Sequence, residues 1–247
     1  MKPEDLAKSL ANQLRSLGVE GLPEKWVKPG DRPRGQVAEK VIEIVLEGTG
    51  NAADELATLR KDAEQCTKCR LCEGRNKVVF GVGKTERPVI AFIGEGPGAD
   101  EDRLGEPFVG RAGQLLTGAI TKGMGLRRED VYICNVVKCR PPENRAPLPD
   151  EVAACTPYLY RQLELIQPRV IVTLGQPAQL ATSGVDLGIT KLRGQWQSWR
   201  GFKLMPTFHP AYILRNPPAK RFFWDDLQSV MAELGLPLPQ ASADEKA

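Results

Sequence analysis

The chain has 247 residues, 41% hydrophobic and 26% charged, with a formal net charge of +3. That is ordinary globular composition, and the length can bury a full core without disulfide or metal staples. No apolar run approaches the ~18–20 residues of a membrane span, and the start, MKPEDLAKSL, lacks the apolar segment of a secretory signal. A cytoplasmic protein without membrane contact is therefore expected.

Residues 1–60 read as an N-terminal helical extension or tail. Helical spacing covers 3–17, with Leu6, Leu10 and Leu14 on one side, and 37–46, with a Pro/Gly-rich break between them. A third helix is predicted at 52–65. From Pro88 onward, short apolar runs alternate with helical segments. Strands are predicted at 89–93 (VIAFI), 131–137 (VYICNVV), 169–174 (RVIVTL) and 202–208 (FKLMPTF). Helices are predicted at 113–124, 150–167, 175–182 and 220–234, the second opened by Pro149 and an acidic first turn. Residues 61–236 thus form the main domain, and 237–247 read as a disordered tail. Strands separated by helices argue for a parallel sheet covered on both faces. Ligands bind beyond the C-terminal strand ends of such sheets. Glu95, Asn135 and His209 fall at or near those ends, on one edge.

His209 is the one histidine, which excludes a site built from several imidazoles. The six cysteines read as metal ligands or buried thiols before disulfides. Cys66, Cys69 and Cys72 form C-x2-C-x2-C, a spacing that suits zinc or an iron–sulfur cluster. Residues 73–80 contain no further cysteine, so such a site must be closed from Cys134, Cys139 or Cys155, as in a structural staple. Cys134 sits among apolar strand neighbours and reads as core, while Cys72 stays open as a ligand. The run GEGPG fails both the P-loop and the dinucleotide spacing, so no nucleotide cofactor is implied. Between Gly188 and Trp224 lie seven Lys/Arg and no Asp/Glu, interleaved with aromatics, which suits phosphate contact.

Three blocks, GEGPGADEDRLGEPFVGRAG (94–113), NVVKCRPPENRAPLPDE (135–151) and HPAYILRNP (209–217), resemble the family 4 uracil-DNA glycosylases. The likeness runs from about Cys66 to Leu234 and leaves the first 60 residues without a counterpart. It implies an α/β fold, a three-layer α/β/α sandwich around a four-stranded parallel sheet. It also implies a [4Fe-4S] cluster on Cys66, Cys69, Cys139 and Cys155, with Cys72 and Cys134 as non-ligands. The implied activity is excision of uracil from single- or double-stranded DNA, leaving an abasic site, and a monomer is expected.

By this resemblance Phe108 stacks on the extruded base. Asn135 reads the base edge, because a carboxamide can donate to O4 and accept from N3–H, polarities that cytosine reverses. His209, neutral, donates to uracil O2 as charge develops on the leaving base. Glu95 positions the attacking water, with Asp102 and Glu101 as competing acids. Gly96 and Gly98 let the backbone approach the base closely. Lys138, Arg140 and Arg145 flank a DNA-facing loop, and Leu214 or Arg215 is the candidate wedge for the gap left by the base. A loop without histidine after the Asn135 strand disfavours the related type that traps uracil-DNA covalently. A non-catalytic four-cysteine metal-binding DNA module is the other alternative.

Overall fold

The computed structural model describes residues 52–238, all within the unit Gly50–Ala247, which separates from Met1–Thr49. The helices expected over 3–17 and 37–46, and the tail from 239 onward, lie outside the described residues. Six strands form one sheet: β1 (Val82–Gly83), β2 (Ile90–Gly94), β3 (Tyr132–Asn135), β4 (Val170–Leu174), β5 (Gln197–Trp199) and β6 (Phe202–Thr207). Their order is β1-β3-β2-β4-β6-β5. The inner four are parallel, in register Gly94 to Asn135, Ile93 to Thr173 and Leu174 to Thr207. Both outer strands pair antiparallel, so the four-stranded expectation is correct for the parallel part and misses two edges. With two and three residues, those edges are too short to show an alternation in sequence.

Strand β2 shows how the layers arise. Ala91 and Ile93 face one side, together with Cys134 and Ile171. There they meet Leu56 and Ala63 of α1 (Ala52–Glu64) and Leu159 and Leu163. Ile90 and Phe92 face the other side with Ile133, Val172 and Met205, against Leu116, Ile120 and Leu227. The two-residue period of a strand thus feeds two separate cores. Each fully buried aliphatic or aromatic side chain contributes roughly 1.5–3 kcal/mol. Helix α1 crosses residue 60, where the sequence places the end of the extension. Leu56 and Ala63 are buried in the first core, so the helix packs as part of the main domain.

The remaining helices precede, connect or follow the strands. They are α2 (Leu71–Gly74), α3 (Ala99–Leu104), α4 (Arg111–Gly118), which runs on through a π turn at Ala119–Gly123, and α5 (Pro149–Ile166). After β4 come α6 (Gln176–Ser183), α7 (Ile189–Leu192), α8 (Pro210–Arg215) and α9 (Lys220–Leu234). The chain leaves β2 for β3 on one side of the sheet and leaves β4 for β6 on the other. A crevice therefore opens at the C-terminal ends of β2 and β4. Among the described residues no helix is long and apolar enough to cross a membrane.

Candidate active site

A cleft of about 570 Å³ opens at that crevice, with Glu95, Gly96, Gly98, Phe108, Asn135, His209 and Arg215 in its wall. Three of these side chains stand at or just beyond the C-terminal ends of β2, β3 and β6, and backbone contacts lock the others. A Cβ on Gly94 would run into Asn135 Oδ1 and the Phe108 ring, so glycine there lets both side chains close over the strand end. Phe108 has φ +56°, the left-handed region, which costs a non-glycine residue of order 1–3 kcal/mol. Arg128 holds that turn from below. Its Nη2 donates to the carbonyls of Pro107 (2.7 Å) and Phe108 (3.1 Å), and its Nη1 donates to Thr117 Oγ1 (2.8 Å).

Asn135 is buried, and its Oδ1 has no partner among the described residues. A buried amide oxygen without a donor costs about 1–3 kcal/mol, which marks it as an acceptor awaiting a ligand. His209 precedes Pro210, which has no N–H, and the ring Nδ1 accepts the next amide, from Ala211 (3.1 Å), as the cap of α8. With Nδ1 occupied as an acceptor, the neutral ring carries its proton on Nε2. Burial, then the nearby Arg215, push the His209 pKa down to about 4, so the ring is neutral at physiological pH. The Phe108 and His209 rings lie 5.6 Å apart, tilted by 32°.

Of the three acids near GEGPG, the geometry separates one from the others. Glu101 uses both oxygens on backbone amides: Oε1 accepts from Val109 and Gly110 (3.0 Å each), and Oε2 accepts from Gly98 (3.1 Å). It clasps the two loops of the cleft together. Asp102, expected as a catalytic candidate, is fully buried and absent from the cleft wall. Its carboxylate accepts from the Asn76 backbone (2.9 Å) and side chain. Glu95 lines the cleft, its carboxylate makes no hydrogen bond to the described residues, and burial raises its pKa.

The predicted DNA contacts need larger corrections. Lys138 is buried at 2% exposure and faces the interior, where no phosphate reaches it. Arg140 donates to Asn144 Oδ1 at 2.8 Å. The basic run between Gly188 and Trp224 does not form one face. Arg193 pairs with buried Asp226, Arg200 pairs with Glu164 (2.5 Å), and Lys203, at the start of β6, pairs with Glu233 (2.5 Å). Linear charge density was misleading because partners arrive from α5 and α9. Arg215 lines the cleft, and Leu214 beside it is 40% exposed. Tyr212, one of the aromatics interleaved with the basic run, stands in the cleft wall, and sequence reasoning missed the Arg145–Glu151 pair, bidentate at 2.8 and 2.6 Å. Glu151 also accepts from Leu148 N (2.8 Å), which pins the Pro-rich loop along the cleft.

A second, small cavity of about 20 Å³ is lined by Cys66, Cys69, Cys72, Cys139 and Cys155, with Arg75, Lys138 and Tyr158. Cys134 is buried in β3 and is not among them. Arg75 Nη1 donates to Cys139 Sγ (3.4 Å), and Lys138 N donates to Cys155 Sγ (3.2 Å). Among the described residues no three His, Cys, Asp or Glu side chains are arranged to hold a single metal ion. Several thiols round one void, two already taking N–H donors, are a donor set suited to a thiolate-bound metal centre.

Residues 80–228 match the family model for the uracil DNA glycosylase superfamily, and the chain belongs to that superfamily. It is 53% identical over 155 residues to the Type-4 uracil-DNA glycosylase of Thermotoga maritima, covering 62% of this chain and 80% of that protein. It is 43% identical over 189 residues to the Type-4 uracil-DNA glycosylase of Saccharolobus solfataricus, covering 73% and 87%. A Type-5 uracil-DNA glycosylase from Pyrobaculum aerophilum is 32% identical over 144 residues, covering 51% and 63%. Within the superfamily, the chain is a member of the type-4 uracil-DNA glycosylases.

Proposed function

We propose that the protein excises uracil from DNA: it extrudes the nucleotide into the cleft and hydrolyses its N-glycosidic bond, leaving an abasic site. The observation that carries this reading is the unpartnered Asn135 Oδ1, buried in a cleft whose wall also holds a neutral His209. Uracil offers N3–H to that oxygen. Cytosine has an unprotonated N3, so it would leave two acceptors facing each other. Phe108 supplies the stacking face, worth roughly 1–3 kcal/mol per base.

Cleavage places negative charge on the departing uracil. His209 Nε2–H donates to that charge at O2 and needs no proton transfer to do so. Glu95, ionised, orients the water that attacks the anomeric carbon and accepts its proton. Gly96 and Gly98 let base and sugar approach the backbone. Arg215 and Leu214 enter the gap left by the extruded nucleotide. Cys66, Cys69, Cys139 and Cys155 hold a [4Fe-4S] cluster, which when bound cross-links the α1–α2 connection to the loop after β3 and to α5. Cys72 lines the same cavity as a fifth thiol.

The test is incubation with a uracil-containing oligonucleotide, single- or double-stranded, followed by alkali. Strand scission at the uracil is expected. Intact strands from folded, iron-loaded protein would overturn the reading.

A further inference from the structure

Lys138 lies outside the cleft wall, yet each of its polar groups is tied to an element that the site depends on. Its N–H donates to Cys155 Sγ (3.2 Å), and its carbonyl accepts from Val79 N (2.8 Å). Its side chain turns back along the strand, and Nζ donates to the backbone carbonyl of Asn135 at 2.7 Å. The two intervening residues stay paired with β2: Val136 N donates to Gly94 O (2.9 Å) and Val137 N to Glu95 O (3.1 Å). The Asn135 peptide is therefore the point where β3 stops and the loop to Cys139 begins, and the lysine closes that point like a buckle.

We infer that Lys138 is a positioning residue for base recognition: it fixes the Asn135 peptide, and so the side-chain amide, through one hydrogen bond anchored at the cysteine cavity. This rests on the assignment of Asn135 as the base reader. Without the Nζ donor the buried Asn135 carbonyl has an unmet hydrogen bond, and the peptide can turn to find another. The side chain that must meet uracil within a few tenths of an ångström turns with it, and small misplacements at such sites cost rate rather than affinity.

The test is a double-mutant cycle on full-length, iron-loaded protein with Lys138→Met, Asn135→Ala and the double variant. The readouts are single-turnover excision from a uracil oligonucleotide, affinity for the same DNA, and iron per chain. Methionine keeps the length and apolar volume of the lysine stem and removes the donor. Expected are native iron, near-native DNA affinity and about a tenfold slower excision step for Lys138→Met. The double variant should be no slower than Asn135→Ala alone, because two residues acting through one contact are not additive. Native rate in Lys138→Met, or additive losses in the double variant, would overturn the inference while leaving Asn135 as reader. Native rate in Asn135→Ala would overturn both. If Lys138→Met loses iron, Lys138→Leu, which also lacks a donor, takes its place and is judged by the same additivity.

Discussion

The cleft at the strand ends and the cysteine cavity beside the first core treat polar groups in opposite ways. The cleft leaves groups unused: neither Asn135 Oδ1 nor the Glu95 carboxylate has a hydrogen-bond partner among the described residues. The cysteine cavity is small and engaged, with Arg75 on Cys139, Lys138 on Cys155, and Lys68 over the Tyr158 ring at 4.6 Å. An unmet hydrogen bond in the wall of an open cleft is one that a ligand can supply. Satisfied ones mark where the fold is being held. The first cavity is built to react and the second to fasten.

This contrast breaks most visibly at Cys139. Replacing it with serine should remove most of the bound iron and lower the melting temperature by more than about 10 °C, since 1 kcal/mol shifts a domain of this size by about 2–4 °C. Excision should be lost along with the fold. Native iron in this variant, measured by chelator release, would mean that Cys72, which lines the same cavity, takes its place.

In the cleft, changes should cost rate and spare the fold. His209→Ala removes the donor to the developing charge and should slow single-turnover excision by about 10²–10³, with DNA affinity nearly unchanged. Equal losses in both would move His209 from catalysis to binding. The same residue bears on stability through pH. Its folded pKa of about 4 lies below its ordinary 6.5, so the unfolded chain takes up more protons between those values. Stability from this group is therefore complete above pH 6.5 and falls as pH drops toward 4.

Glu95 has the opposite shift, and that separates the two roles. Burial raises its pKa above the ordinary 4.5, and only the ionised form can orient and deprotonate water. The pH–rate profile should therefore have an acid limb above 4.5 that belongs to Glu95. Glu95→Gln should lose about 10² in rate and flatten that limb. An acid limb that persists in Glu95→Gln would assign the limb to another group.

Legibility in the sequence followed the range of the interactions. The four parallel strands and the closing helix at 220–234 rest on local patterns of apolar residues, and they were readable within a residue or two. So was the edge of the sheet that carries Glu95, Asn135 and His209, because strand ends follow from strands. Partnerships across the chain were not readable. Lys138 looks like a surface cation beside Arg140 until β3 and α5 close over it. Asp102 is turned away from the cleft and held by Asn76, which no spacing links to it. Arg193 loses its place in the basic run because Asp226 arrives from α9. A titratable side chain shows in sequence what it could do, and only the tertiary partner decides whether it is free to do it.

Arg128 is the residue with the least sequence signal, and it gives the finest test of the division between reacting and fastening. It stands 20 residues from Phe108 and holds two carbonyls of the strained turn with one nitrogen. Lysine at this position keeps the charge but not the planar fork, so it cannot serve Pro107, Phe108 and Thr117 together. Phe108 should then spend less time in its left-handed conformation, and its ring should present a less settled face to the base. Stacking acts on the bound base before and during cleavage alike, so its loss is a uniform binding loss. Arg128→Lys should raise KM for uracil-containing DNA about fivefold, roughly 1 kcal/mol, and leave kcat within a factor of two. A fall in kcat at unchanged KM would instead place Phe108 among the groups that act on the transition state.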